Sequence, residues 1–121
     1  MYVWGWNKHG QCGLPSNDGD PERVSMATEP TLLQLEPHCS EQLGLEPHEF
    51  VEIDRISCGA RHCAAATTSG HLITWGWGKY GQLGYHGDGE ECRLPTVVRG
   101  VEGVFGGVDC GWWSTFVVCK K

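Results

Sequence analysis

The sequence has no apolar run near the roughly 18 residues that span a bilayer, which excludes a transmembrane helix. Its opening, Met1 to Gly10, lacks the apolar core of a secretory signal peptide. No Cys-x-x-Cys occurs, so the paired spacing of a zinc knuckle is absent. There is no Gly-x-x-x-x-Gly-Lys-Ser/Thr loop for nucleotide hydrolysis and no Gly-x-Ser-x-Gly elbow for a nucleophilic serine. Basic residues are scarce: Lys plus Arg is 9 against 15 Asp plus Glu, a net charge of −6. A phosphate-backbone binder presents a basic surface, so direct nucleic-acid binding is disfavoured. Helical periodicity with caps is missing from every window of useful length. With 121 residues there is chain for one domain and not two.

What the sequence does have is glycine. Eighteen residues, about twice average usage, point to tight turns between short strands. Internal repeats set their order. Residues 2–14, YVWGWNKHGQCGL, and residues 73–85, ITWGWGKYGQLGY, share seven of thirteen positions at an offset of 71. A second pair, ISCGARHCAAAT from Ile56 and VDCGWWSTFVVC from Val108, lies at an offset of 52. Each unit therefore carries a Trp-Gly strand, a Gly-Gln-x-Gly turn, a linker, a Cys-Gly turn and a further strand.

Strands are expected near Tyr2–Trp6, Thr31–Leu35, Val51–Cys58, Cys63–Thr67, Leu72–Trp77, Pro95–Arg99, Val104–Cys110 and Thr115–Cys119. Thr68-Ser69-Gly70-His71 reads as a hairpin turn. Residues 15–29 read as an exposed acidic loop, and a short helical turn fits Ser40–Leu45. Eight strands make two four-stranded blades, about 2–68 and 71–119. In each Trp-Gly-Trp strand the two tryptophans share a face. Gly5 and Gly76 leave the opposite face bare, where a neighbouring sheet could approach.

Several patterns invite chemistry and then fail a physical test. Gly76-Trp77-Gly78-Lys79-Tyr80-Gly81 matches a dinucleotide fingerprint, but no helix can start at the glycine-rich stretch after it. Asp18, Asp20, Glu22 and Glu29 have a calcium-loop spacing, but Arg23 stands where the sharp turn needs glycine. Asp88, Glu90 and Glu91 read as another solvated loop. Cys58, Cys63, Cys110 and Cys119 read as small buried strand residues, with a metal or redox trio of Cys58, His62 and Cys63 as the rival. No catalytic residue, cofactor or metal is assigned.

The aromatics are harder to absorb. Trp4 and Trp75 suffice for a blade core. Trp6, Trp77, Trp112 and Trp113, with Lys8, His9, Lys79 and Tyr80 on adjoining turns, are candidates for a protein-binding rim. Extra core packing, or coverage of an open blade face, is the competing explanation.

The quoted motifs resemble the regulator-of-chromosome-condensation repeat family. Trp75-Gly76, Gly81-Gln82-Leu83-Gly84, Pro95-Thr96-Val97-Val98 and Cys110-Gly111 follow its pattern. So do Trp4-Gly5, Gly10-Gln11-Cys12-Gly13, Pro30-Thr31-Leu32-Leu33, Cys58-Gly59-Ala60-Arg61-His62 and Gly70. Two positions depart: Ser114 replaces a histidine and Cys12 a leucine. The resemblance implies an all-β, seven-bladed-type propeller, of which two blades form an incomplete ring. The remaining blades would then belong to a longer parent chain. It makes Trp4, Gly5, His62, Trp75 and Gly76 structural, with His62 tying a turn to a neighbouring strand. It implies a noncatalytic interaction scaffold in the nucleus or cytoplasm. Its partners would be chromatin proteins, a Jumonji-type dioxygenase or small GTPases, with guanine nucleotide exchange as the alternative activity.

Overall fold

In the computed structural model, residues 1–14, 25–46, 48–85 and 90–120 are described, apart from the Glu102 side chain. Among these residues eight strands and one short helix follow in order: β1 (Tyr2–Trp6), β2 (Met26–Leu32), α1 (His38–Leu43), β3 (Ile53–Cys58), β4 (His62–Thr67), β5 (His71–Trp77), β6 (Glu91–Glu102), β7 (Phe105–Cys110) and β8 (Thr115–Cys119). They form three open antiparallel sheets, β1-β2, β3-β4-β5-β6 and β7-β8.

The strand grouping differs from a division at residues 68 and 71. The reason is local. β4 and β5 are joined by a tight turn in which the Gly70 amide donates to the Thr67 carbonyl at 3.2 Å, with Gly70 at φ +86°. A hairpin this short keeps both strands in one sheet. The Cys-Gly strands of one repeat therefore pair with the Trp-Gly strand of the next. The result is one complete blade flanked by two halves.

β2 begins at Met26, five residues before the expected start. Residues 26–29 are thus strand and not loop, whereas 15–24 lie outside the described residues. A bulge disguises this strand. Val3 pairs with Thr31 and Gly5 with Ala27, so residues 28–30 oppose Trp4 alone. The same irregularity recurs around Trp75, between Thr74↔Thr96 and Gly76↔Cys92. Pro30 and Pro95 occupy these bulges, where a missing amide hydrogen does no harm to the ladder. α1 ends at Gly44 in the left-handed conformation. It covers the outer edge of β6: the Val97 amide donates to Gln42 Oε1 at 2.8 Å, and the Cys39 thiol to the Pro95 carbonyl at 3.2 Å. An otherwise open strand edge is closed in this way.

The core lies in the two seams between sheets. In the first, Trp75, Ile73, Cys63 and Ala65 of the central sheet meet Cys12, Leu14, Ala27 and Leu33. In the second, Ala64, Ala66, Leu72 and Val98 meet Phe105 and Val108. β4 is buried at every position, so its alternating Cys63/Ala65 and Ala64/Ala66 faces serve both seams. Small side chains let sheets approach from both sides. Trp75 fills the first seam, and its indole Nε1 donates to the Gln11 carbonyl at 2.9 Å.

Candidate protein-interaction surface

The site is built from two repeated turns. After β1, the His9 amide donates to Gln11 Oε1 at 2.9 Å; after β5, the Tyr80 amide donates to Gln82 Oε1 at 2.9 Å. Each glutamine side chain braces the turn that precedes it and fixes where His9 and Tyr80 stand. Arg93 holds the first turn against β6, donating to the carbonyls of Lys8 (3.0 Å) and Asn7 (2.8 Å). A Cβ on Gly10 would lie 2.6 Å from Arg93 Cα, so only glycine allows this approach.

On this frame the rings form a continuous band across all three sheets. Trp6 meets His9 edge-on at 5.4 Å between centroids, and His9 lies 5.9 Å from Trp77. Trp77 packs edge-on against Tyr80 and Trp113, each at 5.3 Å. Tyr80 and Trp113 are 5.9 Å apart, and Trp112 extends the band at 6.4 Å from Trp113. Such edge-to-face contacts match the ring quadrupoles and hold the rings in place. Trp77 is buried at the centre, while Trp6, Tyr80, Trp112 and Trp113 are exposed.

Arg61 is the member that the sequence reading missed. Its guanidinium carbon lies 5.2 Å from the Trp77 centroid and 5.9 Å from that of Trp113. The repeat did carry the signal. At the 52-residue offset, Ala60-Arg61-His62 aligns with Trp112-Trp113-Ser114, so Arg61 holds in one turn the place of Trp113 in the next. Acidic groups flank the band: Glu91 Oε1 accepts from His9 Nδ1 at 2.9 Å, and Glu90 lies 3.6 Å from Lys79 Nζ. Lys79 therefore stands beside the band but is paired. Lys8 is exposed on the first turn and takes part through its carbonyl.

The residues expected to be structural divide. Trp75 is fully buried, but Trp4 is 63 % exposed, because among the described residues no further sheet packs on its face of β1-β2. Gly76, at φ +107°, is needed: a Cβ would lie 2.5 Å from the Arg61 carbonyl oxygen and 2.8 Å from His62 Cα. That neighbour is the adjacent strand β4, not a separate sheet. Gly5 has the same φ of +107° and nothing within 4 Å of a Cβ. His62 Nε2 lies 3.0 Å from Thr115 Oγ1, whose proton goes to the Gln82 carbonyl at 2.7 Å. Thr115 has one proton to give, so His62 Nε2 is the donor. Burial pushes the His62 pKa down, partly opposed by a backbone hydrogen bond with Ser114.

The cysteines also divide. Cys63 is buried, Cys110 is half-buried, and Cys58 and Cys119 are exposed, so of the four only Cys63 is the buried residue expected. The Cys63 thiol donates to Cys58 Sγ at 3.3 Å, which draws the Cys58 pKa down to about 7. The same hydrogen bond, with burial, pushes Cys63 up. Among the described residues no group of three or more His, Cys, Asp or Glu is placed to hold a metal.

The Regulator of chromosome condensation (RCC1) repeat matches residues 1–66 and 69–118. The chain belongs to this repeat family. It is 37 % identical, over its full length, to RCC1 domain-containing protein 1 of Mus musculus, and 33 % identical to the Homo sapiens protein over 97 % of the chain. It spans 37 % of the length of each of these relatives. Its fold is similar to that of yeast RCC1 (Prp20) in a structure bound to Kap60, with a TM-score of 0.70 and 25 % identity over 98 % of this chain and 25 % of the other. A structure of Prp20p from Saccharomyces cerevisiae, described with its binding to Gsp1p and histones, gives a TM-score of 0.68 at 24 % identity, covering 98 % and 26 % of the two chains. The fold is thus all-β, built from RCC1-type propeller blades. Among the described residues no helix is long and apolar enough to cross a membrane.

Proposed function

We propose that this chain is a noncatalytic protein-binding module of a propeller, and that it grips its partner with the band from Trp6 to Trp112. The observation that carries this reading is the clustering of Trp77, Trp113 and Arg61, contributed by three different strands and turns. Tryptophan, tyrosine and arginine are the residue types that dominate binding energy at protein interfaces. A guanidinium lying against two indoles is held in place before a partner arrives, so less side-chain freedom is lost on binding. The net charge of −6 favours a partner with a basic face. Histones, named with the yeast relative, fit that description, which keeps a chromatin-associated scaffold as the finer form of this reading. A Jumonji-type dioxygenase rests on the family resemblance alone.

The test is titration of the folded chain with core histones, with Trp113→Ala and Arg61→Glu as variants. The expected outcome is loss of at least about tenfold in affinity, since interface anchors of this kind are worth upward of 2 kcal/mol. Melting temperatures should stay near wild type. Binding that survives both changes would remove the band from the function. Guanine nucleotide exchange is the second reading, favoured by the similarity to a protein described as binding Gsp1p. Faster nucleotide release from a small GTPase of that kind on adding this chain would select it.

A further inference from the structure

The turn in front of β4 carries a pair of thiols that the binding surface does not use. Cys58 ends β3, and Cys63 stands directly opposite it on β4. The Gly59 amide donates to the His62 carbonyl at 2.8 Å, which makes Gly59 and His62 a hydrogen-bonded pair. Cys58 and Cys63, next along the ladder, are then a non-hydrogen-bonded pair, the closer kind, with Cα atoms about 4.5 Å apart. Their sulfurs lie 3.3 Å apart. We propose that Cys58 and Cys63 form a peroxide-sensitive dithiol, in which Cys58 is the thiol oxidised first and Cys63 resolves it to a cross-strand disulfide.

Three observations carry this assignment. The first is reach. A disulfide spans Cα atoms about 4.4–6.8 Å apart, which a directly opposed pair satisfies. Bringing the sulfurs to the roughly 2 Å of an S–S bond takes a small turn of two side chains and no backbone movement. Second, the two thiols differ as an attacking and a resolving thiol should. Cys58 is exposed, and the hydrogen bond from Cys63 draws its pKa down to about 7, so much of it is the nucleophilic thiolate at neutral pH. Cys63 is buried and stays protonated until it reacts. Third, the repeat supplies its own control. At the 52-residue offset Cys58 aligns with Cys110 and Cys63 with Thr115. Cys110 therefore faces a hydroxyl, at 4.0 Å, and burial pushes its pKa up.

Both cysteines and the ladder that pairs them belong to one sheet, so the geometry holds whatever packs against β1. Access does not need an open edge either. Cys110 occupies the same place in its own turn and stays half-buried with the central sheet beside it, its thiol donating to the Ser57 carbonyl at 3.4 Å. That leaves room for an oxidant little larger than water.

The chemistry balances in two steps. The Cys58 thiolate attacks one oxygen of hydrogen peroxide: an S–O bond forms, the O–O bond breaks, and the departing hydroxide takes up the proton that Cys58 gave up. The Cys63 sulfur then attacks the sulfur of the resulting sulfenic acid. An S–S bond forms, the S–O bond breaks, and the hydroxide released takes the Cys63 proton. The two thiols are oxidised to one disulfide and the peroxide is reduced to water. The first seam survives this change. The Cys63 thiol also lies 3.3 Å from the Gln11 carbonyl, and that carbonyl keeps the Trp75 indole as its donor. The new bond fastens the base of the turn that holds Arg61 against Trp77 and Trp113.

The experiment exposes the folded 121-residue chain, at low concentration, to a small excess of hydrogen peroxide. Alkylation and peptide mass spectrometry without reductant follow. Wild type should give a linked Cys58–Cys63 peptide that has lost two hydrogens, resists alkylation at both positions and is restored by dithiothreitol. Cys58 should react at least about tenfold faster than Cys110. In Cys63→Ser, Cys58 should stop at the sulfenic acid and be trapped by dimedone. In Cys58→Ser, Cys63 should stay reduced. Melting curves verify that the variants fold, and the wild-type result decides the matter without them. A wild-type Cys58 that stays a thiol, passes directly to the sulfinic acid or bonds to another cysteine overturns the proposal. So does oxidation of Cys110 as fast as that of Cys58.

Discussion

β1 and β5, YVWGW and HLITWGW, share a Trp-Gly-Trp ending and live in different surroundings. β5 lies between β4 and β6, with a sheet on either side. Its Trp75 is fully buried and its Trp77 is 9 % exposed. Among the described residues β1 has one neighbouring strand, and its Trp4 and Trp6 are 63 % and 51 % exposed. Local sequence fixes the extended conformation and the glycine at φ +107° in both. Everything else about the two strands, including what each tryptophan contributes to stability, is decided by what packs beside them.

The largest test of that contrast is Trp75→Ala against Trp4→Ala, measured by denaturant unfolding of the monomeric chain. Removing the buried ring should cost about 3–5 kcal/mol. The exposed one should cost under about 1 kcal/mol, as is usual for surface positions. Equal losses would erase the distinction between the strands. Next in size is Gly76→Ala against Gly5→Ala. Both carry the backbone penalty of a positive φ, about 1–3 kcal/mol. Only Gly76→Ala also forces a Cβ into the Arg61 carbonyl, adding about 1–3 kcal/mol of overpacking. The difference between the two variants is the quantity to measure.

A smaller effect sharpens the second seam, where His62 bonds to Thr115. Burial lowers the His62 pKa in the folded chain, so the unfolded chain takes up the proton first as pH falls. The contribution of His62 is therefore intact above about pH 6.5, the usual imidazole value, and declines below it. Stability curves at pH 7.5 and 5.5 should separate by less in His62→Gln than in wild type. The smallest effect on stability, though plain in mass spectrometry, concerns the cysteines. With its pKa drawn down to about 7, exposed Cys58 should be alkylated by iodoacetamide at pH 7.5 well before buried Cys63. Preferential labelling of Cys63 would reverse the direction of the Cys63-to-Cys58 hydrogen bond.

The strands and turns were legible because two repeats present the same punctuation twice. Gly70, Gly10 and Gly81 mark turns wherever they occur, and six of the eight strands lie close to where alternation and bounding glycines put them; β6 contains Pro95–Arg99 but runs from Glu91 to Glu102, so Glu91 is strand and not loop. β2 was misplaced because a bulge breaks the alternation at Thr28 and Glu29, leaving them exposed inside a strand. The blade boundary was misread because pairing follows the hairpin at Thr67–Gly70, whereas repeats show only their period. The rim was legible in its rings and not in its cation. Arg61 lies sixteen residues before Trp77 and fifty-two before Trp113, and only the turn in front of β4 brings it between them. Trp4 differs from Trp75 for a related reason: the composition of a strand does not reveal what packs beside it.

Native-state hydrogen exchange at low protein concentration tests the central contrast most directly. Amides of β4 and β5 should open only with global unfolding, because both strands are paired on both edges and covered on both faces. Amides of β1 and β8 should exchange orders of magnitude faster. Protection of β1 equal to that of β5 in a dilute monomer would contradict the account.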